Sequence, residues 1–363
     1  MVNAAVLAWV VLGAASAVTP CVQTLPDAVH GITMVHMDDA ADGDPRNDGA
    51  RGYATPAARD MTTHLRTAGL NLVALTTVLR LANAGSTTLR SDLDAPGRAT
   101  ATVLLDQIRD ARSKGLAVLV VPHLQLDDLA WRGTIQHPVD SAPAAAFFAA
   151  LTRETVRVAR VAQAGCANAM SVGLEFKGLS QQPGHRARFE ALVTAVRAVF
   201  HGVITYSANW DEAQGVTFWQ SVDVLGVNAF YPLQTRRGAT AADLEAGALG
   251  VSRQLAALHA RTRKKILLTE VGYKAITDSA LRPWEWPAEV NLETLPVDEA
   301  FQAQAYRAMA CGVTTQPWSL GMVAWFTPSD PNDQAHPNRW EGPNGFNPLH
   351  KAAGAVLAGG CPR

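Results

Sequence analysis

The feature that most constrains this 363-residue chain is an alternation of short β-rich runs with amphipathic helical stretches along most of its length. Eight runs read as strands: Gly31–Met37, Leu70–Leu79, Ala117–Leu124, Met170–Phe176, Val203–Trp210, Val222–Phe230, Ile266–Tyr273 and Leu320–Thr327. Helical patterns lie between them over Ala57–Ala68, Ala101–Ser113, Ala144–Ala162, Arg186–Phe200, Ala242–Thr262 and Glu299–Ala310, and Leu349–Leu357 closes the chain. Repeated β-α units of this kind predict an α/β fold, and eight of them predict a single-domain (β/α)8 TIM barrel. In that architecture function sits where the strands end and the β-α loops begin, while the opposite face serves stability. No linker, low-complexity tract or internal repeat beyond the β-α unit divides the chain, so residues 18–363 are expected to form the barrel.

Composition removes several classes of function. Apolar residues at 48% and charged residues at 17% exclude a disordered or fibrous chain. Lys+Arg at 31 against Asp+Glu at 32 leaves a net charge of -1, with no basic field to attract nucleic acid or an anionic membrane. The sequence lacks H-E-x-x-H, G-x-x-x-x-G-K-[ST] and G-x-S-x-G, so no zinc centre, nucleotide site, nucleophile elbow or cofactor is implied. The acidic loop Asp38–Asp44 fails the EF-hand pattern, with Ala40 at the third position and Gly49 at the twelfth.

Residues Ala4–Ala17 form an apolar run too short for a comfortable membrane span, and Ala15-Ser16-Ala17 offers a small-residue cleavage pattern. This predicts a leader over residues 1–17 and a secreted or periplasmic protein, with an uncleaved anchor or a misassigned start as the alternatives because the leader carries no Lys or Arg. After cleavage no comparable apolar run remains to hold the chain at a membrane. Cys21, Cys166, Cys311 and Cys361 have no C-x-x-C spacing and fall on the stability face, which reads as two disulfides with three pairings open.

Two glutamates stand at strand ends among apolar neighbours: Glu175 in Val-Gly-Leu-Glu-Phe and Glu270 in Leu-Leu-Thr-Glu-Val. A carboxylate in such a place needs hydrogen bonds, a counter-charge or a proton. Two of them facing each other across a barrel mouth are what glycoside hydrolysis requires, one to protonate the leaving oxygen and one to attack or to activate water. The alternative is a pair of structural ion pairs, for instance to Arg80. Asp127, Asp128, Asp211 and Glu212 share this face, but they read as solvated loop carboxylates.

Further motifs carry a resemblance. Pro122-His123 with Trp131-Arg132-Gly133, Ser207-Ala208-Asn209-Trp210-Asp211-Glu212 with Phe218-Trp219, Gly226-Val227-Asn228-Ala229-Phe230-Tyr231-Pro232-Leu233, and Thr269-Glu270-Val271-Gly272-Tyr273 with Arg282-Pro283-Trp284-Glu285-Trp286 resemble glycoside hydrolase family 113, the β-mannanase-like barrels of retaining clan A. The resemblance implies that Glu175 is the general acid/base and Glu270 the nucleophile. Retention would follow from a carboxyl separation of about 5–5.5 Å. The acid should then be the group with the raised pKa, and donors such as Arg80 should keep the nucleophile ionised. Much of the clan has Asn before the acid/base, where this chain has Leu174, so Asn209 or His123 is left to meet the sugar 2-hydroxyl. Asn228 with Phe230-Tyr231 replaces the usual Asp and aromatic pair of the sixth strand.

Trp at 9 nearly equals Phe at 10, and Trp131, Trp210, Trp284, Trp286 and Trp325 all fall near or beyond strand ends, where rings stack on sugar faces. Arg80, His123, Trp131, Arg132, Asn209, Trp210, Asn228, Tyr231, Trp284 and Trp325 are therefore the candidate substrate contacts, with Tyr231 expected to hydrogen-bond the nucleophile. The expected partner is a β-linked polysaccharide or oligosaccharide, β-1,4-mannan first. Another β-glycan, or binding without hydrolysis, are the alternatives.

Overall fold

The computed structural model describes residues 21, 23–36, 52–285, 295–330 and 343–361. The expected leader, the acidic loop Asp38–Asp44 and Trp286 lie outside the described residues.

Eight parallel strands form the barrel: β1 (Val29–Val35), β2 (Leu72–Leu81), β3 (Ala117–Leu126), β4 (Ala169–Leu174), β5 (Val203–Asn209), β6 (Val224–Asn228), β7 (Ile266–Val271) and β8 (Ser319–Pro328). Each pairs with its sequence neighbours, and β1 pairs with both β2 and β8, which closes the cylinder. The helices are α1 (Pro56–Thr67), α2 (Ala101–Ser113), α3 (Ala142–Ala164), α4 (Arg186–Arg197), α5 (Ala241–Thr262), α6 (Glu299–Met309) and α7 (Ala352–Gly359). The β5–β6 connection holds only a 3-10 turn, Trp219–Ser221, so the fifth unit is closed without an α-helix.

Local chemistry sets these elements. Thr55, Thr100 and Ser141 cap their helices by accepting N–H bonds from Ala58, Val103 and Ala144, and Thr240 with Asp243 forms a capping box on α5. Along α2 the buried residues Leu104, Ile108 and Ala111 recur at helical spacing and face the sheet. Alternation along the strands divides the core: Val73 and Leu75 of β2 join the shell under the helices, whereas Leu72 and Ala74 join Leu119, Val121, Leu267 and Val323 in a second cluster, inside the barrel.

Both disulfides lie at the end of the barrel opposite the β-α loops, as expected of staples. Cys21, ahead of β1, pairs with Cys166, after α3, and Cys311 pairs with Cys361, after α7. This selects one of the three pairings. Every strand end lies within two residues of the expected run: β1, β4, β6 and β7 stop two residues early, while β2 and β3 run two residues further. At β4 the cause is local: Glu175 takes φ 54°, which turns the chain out of the ladder.

Candidate active site

Glu175 follows the last residue of β4, and its backbone N–H still donates to Ser207 O of β5 at 2.9 Å. Its carboxylate is buried yet supplied with donors. Oε2 accepts Arg132 Nη1 at 2.7 Å and Trp131 Nε1 at 3.0 Å, and Oε1 accepts Asn228 Nδ2 at 3.0 Å. Asn228 ends β6, is itself fully buried, and is oriented by Thr269 Oγ1, which donates to its Oδ1 at 2.9 Å. Its register partner on β7 is Glu270, so one asparagine ties the two carboxylate-bearing strand ends together.

Arg132 and Trp131 come from the loop after β3. Arg132 Nε donates to Leu124 O at 2.6 Å, which aims the guanidinium back over the barrel mouth. Gly133 lets the indole of Trp131 lie flat on the backbone: a Cβ there would fall 2.3 Å from the ring. Trp131 as a whole is 39% exposed, and its ring N–H is already on Glu175.

Glu270 has a different environment. It is buried, and His123 Nε2 stands 3.9 Å from its Oε1. Burial first, and the charge of Glu175 second, push its pKa well above the ordinary carboxylate value, with Arg132 and Asn228 offsetting part of the effect. His123 is neutral: burial, then the charge of Arg132, lowers its pKa to about 3. Its ring stacks on Trp325 with centroids 5.6 Å apart, and its Nε2 has no hydrogen-bond partner among the described residues. The Trp325–Phe326 peptide bond is cis.

This reverses the expected electrostatics. The donors converge on Glu175, the expected acid, and the raised pKa belongs to Glu270, the expected nucleophile. The physical reason lies in the loop after β3, whose Arg132 and Trp131 reach the fourth strand's carboxylate. Arg80, expected beside the carboxylates, pairs with Asp92 at 3.2 Å, because the short strand Arg90–Ser91 folds back on β2 and brings Asp92 alongside.

Trp210 and Trp284 stack on each other at 5.2 Å, and Trp210 meets Tyr231 edge-on at 5.7 Å, so the end of β5 and the loop after β7 form one aromatic wall. Tyr231 does not bond Glu270 as expected. Its hydroxyl is buried without a hydrogen-bond partner among the described residues, and burial, with the nearby charge of Asp211, raises its pKa. Asn209 donates through Nδ2 to Asp211 at 3.0 Å, and Leu174 is packed in the barrel interior. Neither therefore donates to Glu175, whose donors are Arg132, Trp131 and Asn228.

Glu212 was expected to be solvated and is instead fully buried. Its Oε2 accepts Asn209 N–H at 2.9 Å while its own N–H donates to Asn209 O at 2.9 Å. The spacing of 209–212 lets the Glu212 side chain cap this turn, although the Asn209 side chain turns to Asp211 and makes no reciprocal bond.

Comparison with known proteins agrees with this fold. The chain is similar in fold to the family 113 β-mannanase of Alicyclobacillus acidocaldarius, solved in complex with ManMIm, with 22% identity, a TM-score of 0.74, and 91% of this chain and 96% of that one covered. A second family 113 β-1,4-mannanase, also solved as a complex, has 18% identity and a TM-score of 0.75, covering 92% of this chain and 98% of that one. A search of curated proteins finds no match. The sequence profile of Glycoside Hydrolase Family 113 matches residues 47–341, most of the barrel and all of the loops described above, and the chain belongs to that family.

Proposed function

We propose that this glycoside hydrolase cleaves β-1,4-linked mannan by double displacement, with Glu270 as nucleophile and Glu175 as general acid/base. The observation that carries the reading is the pair of buried carboxylates at the ends of β4 and β7, joined through Asn228. Protonated Glu175 gives its proton to the glycosidic oxygen as the carboxylate of Glu270 attacks the anomeric carbon. The C–O bond breaks and a glycosyl ester forms on Glu270. Glu175, now ionised, takes a proton from water, which attacks the ester and releases the sugar with its configuration retained. In the active form Glu175 holds the proton and Glu270 the negative charge.

Oε1 of Glu175 accepts one hydrogen bond among the described residues, from Asn228, which leaves a lone pair for the proton that goes to the glycosidic oxygen. The ring of Trp131 and the Trp210–Trp284 wall supply flat apolar surface for pyranose rings. Mannan is favoured because both family structures above are described as β-mannanases. Leu174, in the position where the clan resemblance calls for a 2-hydroxyl donor, favours another β-glycan as the second reading.

Export fits the two disulfides, which persist in oxidising compartments. No helix among the described residues is long and apolar enough to cross a membrane. The test is incubation with soluble mannan and a panel of other β-glycans, following product anomers by proton NMR. Mannan cleavage with β-anomer formed first is expected. Exclusive cleavage of another glycan would replace the substrate, and α-anomer formed first would exclude retention.

A further inference from the structure

Glu212 is a third buried carboxylate near this rim, and the double-displacement scheme does not use it. Its Oε1 accepts the hydroxyl of Tyr206 at 2.5 Å and that of Ser180, and its Oε2 accepts Asn209 N–H. Tyr206 Oη in turn accepts the backbone N–H of Phe176 at 2.7 Å. A phenol has one proton, so the direction is fixed: Phe176 donates to Tyr206, and Tyr206 donates to Glu212. Phe176 directly follows Glu175, and Phe176 O accepts Ser180 N–H at 2.7 Å, closing the helical turn 177–180. Glu212 thus grips, from the end of β5, both ends of the turn that begins beside Glu175.

That turn needs a grip. Glu175 has φ 54°, a conformation that non-glycine residues keep only when their surroundings over-determine it. Just before it, the β4–β5 register shifts between Ser171 and Leu174, and a Cβ on Gly173 would fall 2.5 Å from the ring of Phe176. A carboxylate fully removed from water is costly unless its donors are complete. Burial lifts the pKa of Glu212 to about 7 even with those donors, and the charge of Glu175 adds to the rise. Capping the 209–212 turn occupies only Oε2, so the bond from Tyr206 to Oε1 is the part that turn chemistry leaves unexplained.

We propose that Glu212 is a positioning residue for Glu175, holding the backbone that carries it through the hydroxyl of Tyr206. The proposal rests on the reading of Glu175 as acid/base, and its consequence is that Glu212 governs proton delivery without touching substrate.

The test compares Tyr206→Phe, Glu212→Gln and Glu175→Gln with the wild-type protein on two substrates. One is an unactivated β-1,4-linked oligosaccharide that the wild type cleaves, mannopentaose in the reading above. The other is the 2,4-dinitrophenyl glycoside of the same sugar, whose leaving group needs no proton. Tyr206→Phe keeps the ring packing on Phe218 and Phe176 and removes only the hydroxyl. For both positioning variants the expected loss of kcat on the oligosaccharide is about 10- to 100-fold, the scale of a small misplacement of a catalytic group. First-turnover release of dinitrophenolate should change by less than about threefold, since general acid help is not required there. Amide exchange at Phe176 should quicken in Tyr206→Phe. Equal losses on both substrates, or no loss on either, overturn the proposal, because a purely structural role does not distinguish leaving groups. Glu175→Gln separates the two levels of argument. If it lacks the leaving-group split, the acid/base reading itself falls; if it has the split and Tyr206→Phe and Glu212→Gln do not, only the positioning role falls. Should Tyr206→Phe fail to fold by circular dichroism, Glu212→Gln decides.

Discussion

Nη1 of Arg132 lies 2.7 Å from Oε2 of Glu175, so the cation at the barrel mouth pairs with the fourth strand's carboxylate, and at Glu270 it offsets only part of the effect of burial and of the charge of Glu175. Arg132 is also anchored through Nε to Leu124 O, a two-point hold that a lysine cannot reproduce. Arg132→Lys should lower kcat/KM by about 10²-fold, by misplacing the donor at Glu175. Arg132→Ala should also cost about 3 kcal/mol of stability, because it leaves a buried carboxylate short of its counter-charge. Steady-state kinetics and urea unfolding of both variants check this.

The raised pKa of Glu270 fixes the sign of a stability effect. A carboxyl whose folded-state pKa lies above its unfolded value of about 4.5 binds more protons when folded, so its contribution is fully present below that value and is lost as pH rises through the folded-state pKa. Glu270→Gln removes the group that must ionise in a buried place. The variant should be more stable than wild type at pH 8, by about 1–2 kcal/mol, a gain common when a strained site is relaxed. The gain should vanish near pH 4. Thermal unfolding across pH 4–8 measures it.

Gly133→Ala tests the Trp131 platform from a residue that itself contacts neither carboxylate. The new Cβ would meet the indole ring at 2.3 Å, so the ring must lift and its N–H must leave Glu175. An increase in KM of about tenfold, equivalent to about 1.4 kcal/mol, is expected, together with a change in tryptophan emission. An unchanged KM would remove Trp131 from the sugar-binding surface.

The disulfides stand at the far end of the barrel, so they should bear on stability and leave chemistry alone. Cys21–Cys166 spans 145 residues and Cys311–Cys361 spans 50. Replacing either pair by serine should cost about 2–5 kcal/mol. The kcat of the molecules that remain folded should stay at the wild-type value, which kinetics at 20 °C on calorimetrically intact samples will read.

The strands and the two strand-end glutamates were legible in the sequence because both rest on local pattern. Alternating β-rich runs and helical stretches place eight strands to within two residues, and Glu175 and Glu270 stand out against apolar neighbours. What was not legible depends on contacts between distant segments. Glu212 sits in a polar run, Asp211-Glu212-Ala213-Gln214, and nothing nearby announces that Tyr206 and Ser180 bury it. Arg80 was expected at the carboxylates, and the fold-back of Arg90–Ser91 gives it Asp92 instead. Tyr231 was expected to bond Glu270, but its ring meets Trp210 and its hydroxyl has no hydrogen-bond partner among the described residues. The cysteines showed their number and their face. Their pairing depends on which helix ends become neighbours once the barrel closes.

The central claim is that Glu270 attacks the sugar, and covalent trapping tests it most directly. The protein would be incubated with a 2-deoxy-2-fluoro-β-mannosyl fluoride, which slows hydrolysis of the glycosyl ester more than its formation. Mass spectrometry of the intact protein, then of its peptides, would locate the label. One sugar per chain on the peptide containing Glu270, lost in Glu270→Gln, is the predicted result. Label on Glu175 would contradict the account and exchange the two roles, in keeping with the donors gathered on that carboxylate; no label, with mannan still being cleaved, would contradict double displacement altogether.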